Sequence, residues 1–230
     1  MALDETIKAQ LKQYLELLES DVVFQASLGQ DERSEQVRAF LEEIVAMSPR
    51  LSLENTETNR QPSFTVTQIG QAGRVQFAGL PLGHEFTSFV LALLQVSGRA
   101  PKVEDAVIKR IQAIKQPLHF ETYVSLTCHN CPDVVQALNT MAVLNPTISH
   151  TMVEGGMFRQ EVEDKKIMAV PTVFLNGEEF ANGRMTIEQL LDKISGPASS
   201  EEFDKKEPFD VLVVGGGPAG SSAAIYAARK

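Results

Sequence analysis

Tryptophan is missing from this sequence, and cysteine nearly so: two cysteines occur in 230 residues. That scarcity excludes a disulfide-dense scaffold. It also excludes a four-thiolate iron–sulfur centre and a zinc ribbon built on two cysteine pairs. Positive charge is in short supply as well: 21 Lys and Arg face 30 Asp and Glu, a formal net charge of −9. General nucleic-acid binding needs a basic footprint, so that class is set aside. No apolar run reaches the roughly 20 residues that span a bilayer, so no membrane role is expected. Residues 1–20 are charged and amphipathic and lack the apolar core of a secretory signal. Two cysteines without such a signal fit a reducing, cytoplasmic setting. The remainder is ordinary: 43% hydrophobic and 22% charged. That composition and length suit one large or two small soluble domains.

Both cysteines fall in one stretch, Thr127-Cys128-His129-Asn130-Cys131-Pro132. It lies between a strand-like run, Phe120 to Leu126, and a helix-like run, Asp133 to Leu144. A CxxC at a strand-to-helix junction reads as a thiol–disulfide exchange site. Free N–H groups and the positive end of the dipole at the helix start favour a thiolate, and the thiolate is the nucleophile. A structural disulfide closing four residues would stabilise by only about 2 kcal/mol. A structural zinc site needs four ligands, and His129 inside so short a loop cannot easily share an ion with both neighbours. A c-type haem site needs His directly after the second cysteine, where Pro132 stands. Redox exchange is the expected chemistry, with no metal.

Periodicity gives the surroundings. Asp4 is expected to cap a helix carrying Ile7, Leu11, Leu15 and Leu18. Val22 to Leu28 reads as a strand, and Ser34 as the cap of a helix with Val37, Phe40, Leu41, Ile44 and Val45 inward. Leu51 to Glu54 and Pro62 to Val66 are strand candidates, and Arg74 to Phe77 pairs with the latter as a hairpin. Gly83 to Val96 reads as a buried helix, and Val103 to Ile114 as another. The order then repeats: strand 120–126, helix 132–144, strand 148–153, short helix 158–166, strand 170–175, the turn Asn176-Gly177, a return 178–180, and a helix capped by Thr186.

Laid on each other, Ser27-Leu28 matches Ser125-Leu126, and Pro62-Ser63-Phe64 matches Pro171-Thr172-Val173. Gln30 then falls on Cys128 and Arg33 on Cys131. A duplication that lost its first cysteine pair is expected, with the first copy a scaffold or docking surface. Ser195 to Glu202 has linker composition. Asp210 to Val214, then Gly215-Gly216-Gly217-Pro218-Ala219-Gly220, then a helix-like run to Lys230, give GxGxxG in the context of a dinucleotide fingerprint. The expected division is 1–100, 101–196 with the CxxC, a linker 197–208, and 209–230 as a truncated FAD/NAD-binding start.

Cys-His-Asn-Cys-Pro in the second of two thioredoxin-like halves, then a linker, then a Gly-rich fingerprint, resembles the flavoprotein subunit of bacterial alkyl hydroperoxide reductase. Leu80 to Ser88, Cys128 to Asn139 and Met141 to Pro146 carry the resemblance along the chain. It implies two tandem thioredoxin-like folds with a mixed central sheet flanked by helices. It implies a parent, itself a homodimer, that uses FAD and NADH through a thioredoxin-reductase-like domain. The present stretch would be monomeric and without bound FAD. Its partners would be that domain and a peroxiredoxin subunit. Cys128 would be the exposed attacking thiolate and Cys131 the resolving thiol. Pro171 would be the cis proline against the CxxC, and His129 a tuner of thiolate charge. Glu85 would be an acidic group that the first half contributes near the redox centre, the alternative being a surface carboxylate. Gly215, Gly217 and Gly220 would belong to an incomplete FAD site. A different class of function also stands: a docking module in which the cysteines do not turn over.

Overall fold

The computed structural model describes residues 4–58 and 60–196. The described residues up to Leu191 form one compact unit. Its backbone is an eight-stranded mixed sheet in the order β2-β1-β3-β4-β6-β5-β7-β8.

The first half comprises α1 (Glu5–Leu15), β1 (Val22–Ser27), α2 (Glu32–Val45), β2 (Leu51–Asn55), β3 (Ser63–Gln68), β4 (Val75–Ala78) and α3 (Phe86–Val96). The second comprises α4 (Asp105–Ala113), β5 (Leu118–Val124), α5 (Cys131–Leu144), β6 (Ile148–Glu154), α6 (Arg159–Asp164), β7 (Thr172–Leu175), β8 (Glu178–Asn182) and α7 (Ile187–Ser195). Within the first half β1 pairs parallel with β2 and antiparallel with β3, and β3 pairs antiparallel with β4. The second half repeats this with β5, β6, β7 and β8. The same pairing twice makes two thioredoxin-like folds in tandem. They join edge to edge, β4 beside β6 and parallel, with Phe77 opposite Met152.

Caps and turns set the element ends. Asp4 caps α1 by accepting from the Thr6 amide at 2.8 Å. Asp31, not Ser34, caps α2: its carboxylate accepts from the Ser34 amide at 2.9 Å. Ser34 instead lies inside the helix, buried, and its hydroxyl accepts from the Gly29 amide at 2.8 Å. Asp and Ser cap about equally well; Asp31 is the cap because its backbone is still extended, with φ −91° and ψ 165°, where the helix begins. Thr186 and Gln189 form a reciprocal box at the start of α7, as a capping pair should. Asn176 and Gly177 both adopt positive φ, 50° and 90°, between β7 and β8, which is the backbone a two-residue hairpin turn requires. The expected single helix 83–96 is interrupted: Gly83–Glu85 form a 3₁₀ turn before α3 begins at Phe86.

Five phenylalanines fill the core of the first half. The Phe89 ring of α3 lies 5.4 to 6.0 Å from those of Phe24, Phe40, Phe64 and Phe77. The face of the second half away from α5 carries a smaller core of Ala78, Tyr123, Val153, Phe158 and Phe174. Ala78 comes from the first half, so this cluster crosses the β4–β6 seam.

Candidate redox site

The site begins where β5 ends. Cys128 and Cys131 are joined in a disulfide. Cys131 is the first residue of α5, Pro132 stands in its first turn, and Asn130 provides no side-chain cap. The amide groups at the helix start are left to the CxxC loop, where they stabilise negative charge on sulfur once the disulfide opens. Val134, Val135, Leu138 and Met141 are fully buried and fix α5 on the sheet. Arg184, after β8, ion-pairs with Asp133 in the first turn.

The two sulfurs differ in access. Cys131 is fully buried, whereas Cys128 is half-buried. The expectation of a freely exposed Cys128 is corrected to a sulfur with one open side. Its other side is closed by the loop before β7: Cys128 Sγ lies 3.7 Å from the Val170 carbonyl oxygen. The Val170–Pro171 peptide is cis, and Pro171 is buried. Gln61–Pro62 in the first half is also cis, so the two prolines hold equivalent places. Beside Pro62, however, stands the Gly29 loop without cysteine.

Glu85 lies in the short turn before α3. It is 0% exposed, and neither carboxylate oxygen has a hydrogen-bond partner among the described residues. The surface-carboxylate alternative is therefore overturned. Burial pushes its pKa up to about 7, with Ser88 pulling weakly the other way. Its turn packs directly on the segment leading to Cys128: the His84 amide donates to the Leu126 carbonyl at 3.1 Å. A Cβ on Gly83 would come within 2.4 Å of that carbonyl oxygen, and Gly83 has φ of +56°. Glycine is required there on both counts. His129 is exposed, and its ring centroid lies 4.0 Å from that of His84. The structure thus brings Cys128, Cys131, Pro171 and His129 together, with His84 against His129. Gly215, Gly217 and Gly220, and the linker, lie outside the described residues.

The raised pKa of Glu85 gives a pH prediction. A folded-state pKa above the unfolded value near 4.5 means that the carboxyl favours the fold most below about pH 4.5. That contribution is lost as pH rises through 7. Glu85→Gln is expected to remove this slope and to be more stable than the parent at pH 8, by roughly 1–3 kcal/mol. Urea midpoints measured from pH 5 to 8 check it; parallel profiles for the two proteins would refute it.

Two features escaped the sequence reading, the Arg60 and Arg33 contacts between the halves. Arg60 bridges Glu121 of β5 at 2.7 Å and Glu161 of α6 at 2.8 Å, and the Tyr123 hydroxyl donates to Glu161 at 2.9 Å. Burial opposes the Arg60 charge, but Glu161 and Glu121 outweigh it and raise its pKa. Arg33 donates to the Met157 carbonyl at 2.7 Å. Together these strap the first half onto the second. No spacing rule links residues so distant in sequence. His150 is fully buried between Thr122 at 2.8 Å and Asn139 at 2.7 Å. Burial pushes its pKa down to about 3, so it is neutral. Its place is structural, one of the two readings open to it, the other being exposure.

Comparison with known proteins agrees with this geometry. The thioredoxin domain model matches residues 118–195, the cysteine-bearing half. The F protein of alkyl hydroperoxide reductase, AhpF, from Staphylococcus aureus is 58% identical over 228 residues, 99% of this chain. This chain is homologous to AhpF. A Bacillus subtilis relative bearing the name NADH dehydrogenase is 60% identical over 230 residues. The chain spans about 45% of the length of these two relatives. The solved NTD_N/C domain of AhpF from Enterococcus faecalis superposes with a TM-score of 0.78 at 29% identity, covering 84% of this chain and all of that one. A protein disulfide oxidoreductase from Aeropyrum pernix, at 23% identity and a TM-score of 0.73, shares the fold.

Proposed function

We propose that this chain is the thiol–disulfide transfer part of a peroxiredoxin reductase. In this reading a thioredoxin-reductase-like domain of the longer parent supplies electrons from NADH through FAD. The present part carries them on as a dithiol. The observation that carries the proposal is the Cys128–Cys131 disulfide at the start of α5, with one sulfur half-open and the other sealed.

In the reduced protein the Cys128 thiolate attacks one sulfur of the peroxiredoxin disulfide. A Cys128–partner bond forms, the partner S–S bond breaks, and the partner's second sulfur leaves as thiolate. Cys131 then loses its proton and attacks Cys128 Sγ. The Cys128–Cys131 bond reforms, and the first partner sulfur leaves as thiolate. Two electrons have passed, and the chain ends as the disulfide. The Val170 backbone lies beside Cys128 Sγ, where an incoming extended segment would pass. Glu85, buried in the turn that packs on the segment leading to Cys128, is the first half's acidic contribution near the redox centre. His129 sits over the loop as a charge tuner. All of this is sulfur chemistry, and none of these steps passes through the flavin.

The test is direct. Prereduced protein is mixed with oxidised peroxiredoxin and free thiols are counted. Each CxxC oxidised is expected to yield one reduced peroxiredoxin disulfide. Peroxiredoxin that stays oxidised while the dithiol remains reactive toward a small disulfide would sink the proposal.

A further inference from the structure

We propose that Met168 reads the polypeptide flanking an incoming disulfide and selects an apolar side chain there. The inference rests on the exchange reaction proposed above and gives its substrate class: a polypeptide disulfide with an apolar neighbour, in preference to a small polar one such as glutathione disulfide.

Met168 is 94% exposed. Among the other described methionines, Met141 and Met152 are fully buried and Met47, Met157 and Met185 are half-buried. A single exposed apolar side chain needs no explanation in general; the position of this one does. Met168 is two residues ahead of Val170, whose carbonyl oxygen touches Cys128 Sγ. Two residues of chain reach at most about 7 Å. A polypeptide whose cysteine is bonded to Cys128 is therefore anchored beside the loop that carries Met168.

The loop between them is held and yet left open. Thr172 Oγ1 donates to the Ala169 carbonyl at 2.7 Å, which fixes the loop onto the start of β7. The Val170 amide makes no hydrogen bond among the described residues. A partner strand can accept from that amide, which sets its backbone beside the loop and brings a side chain next to its cysteine toward Met168. Burial against that side chain is favourable in proportion to the apolar area covered. An unbranched thioether adapts to more than one shape, which suits a site that must bind and release. A small polar disulfide has no side chain to cover Met168, so this contact discriminates between the two classes.

The experiment compares prereduced wild type with Met168→Ala, Met168→Gln and Met168→Leu. Each is mixed in stopped flow with the oxidised peroxiredoxin and, separately, with dithiobis-nitrobenzoate, a disulfide without a polypeptide. Met168→Ala and Met168→Gln are expected to lose about tenfold in second-order rate toward the peroxiredoxin, about 1.4 kcal/mol. Met168→Leu, apolar and of similar size, is expected to stay within about twofold. All four proteins are expected to react alike with the small disulfide. Wild-type rates in the Ala and Gln variants toward the peroxiredoxin would overturn the inference and leave the exchange reaction standing. An equal loss toward both disulfides would also overturn it, since Met168 would then act on Cys128 itself. Wild type that reduces the small disulfide but not the peroxiredoxin would overturn the exchange reaction, and this inference with it.

Discussion

Replacing Cys128 with serine is expected to bring peroxiredoxin reduction down to the background rate. A serine hydroxyl is not ionised near neutral pH and does not open an S–S bond, whereas a thiolate does. The companion change, Cys131→Ser, is expected to behave differently. Cys128 can still attack, but nothing remains to resolve the mixed disulfide. A covalent adduct of the chain with its partner should accumulate, visible by mass and on a non-reducing gel, and dissolve on addition of dithiothreitol. The asymmetry follows from burial: Cys131, at the start of α5, is fully buried and Cys128 is half-open. Alkylation of the reduced protein should label Cys128 first, with an apparent pKa below the free-cysteine value of about 8.5. An adduct that forms with Cys128→Ser instead would reverse the assignment of roles. Normal turnover in a protein lacking both thiols would favour the docking-module reading.

Phe89→Ala is expected to produce the largest loss of stability. The ring is fully buried and touches the phenylalanines of three strands and of α2. Truncation removes a whole ring from a packed interior and leaves a cavity that its stiff neighbours cannot fill, at a cost of about 3–5 kcal/mol. A urea titration should show a lower midpoint at unchanged slope. A loss under about 1 kcal/mol would mean that the aromatic cluster does not hold the first half together. The variant also separates scaffold from chemistry. Phe89 lies in the half without cysteines, so below the unfolding transition its dithiol should react with a small disulfide at the parental rate.

The strands and helices of the described residues were legible because each is announced locally. The helical spacing of Val134, Val135, Leu138 and Met141 and the Asn176-Gly177 turn need no partner to be recognised. The repeat was legible too, through Pro62 and Pro171, and the sheet pairs both halves alike. Local competition misled once: Asp31 and Ser34 both suit a helix start, and only the backbone path shows which side chain meets the free amides.

The sequence by itself determined the reactive atoms. A CxxC between a strand and a helix is chemistry written in adjacent residues, and it stays so wherever the rest of the chain goes. Tertiary structure alone decided how those atoms are used. It laid Val170 against Cys128, sealed Cys131, buried Glu85 without a partner among the described residues and strapped Arg60 to Glu121 and Glu161. The physical reason is that burial and charge pairing depend on what packs against a residue. Those neighbours come from positions tens of residues away, which no local pattern records.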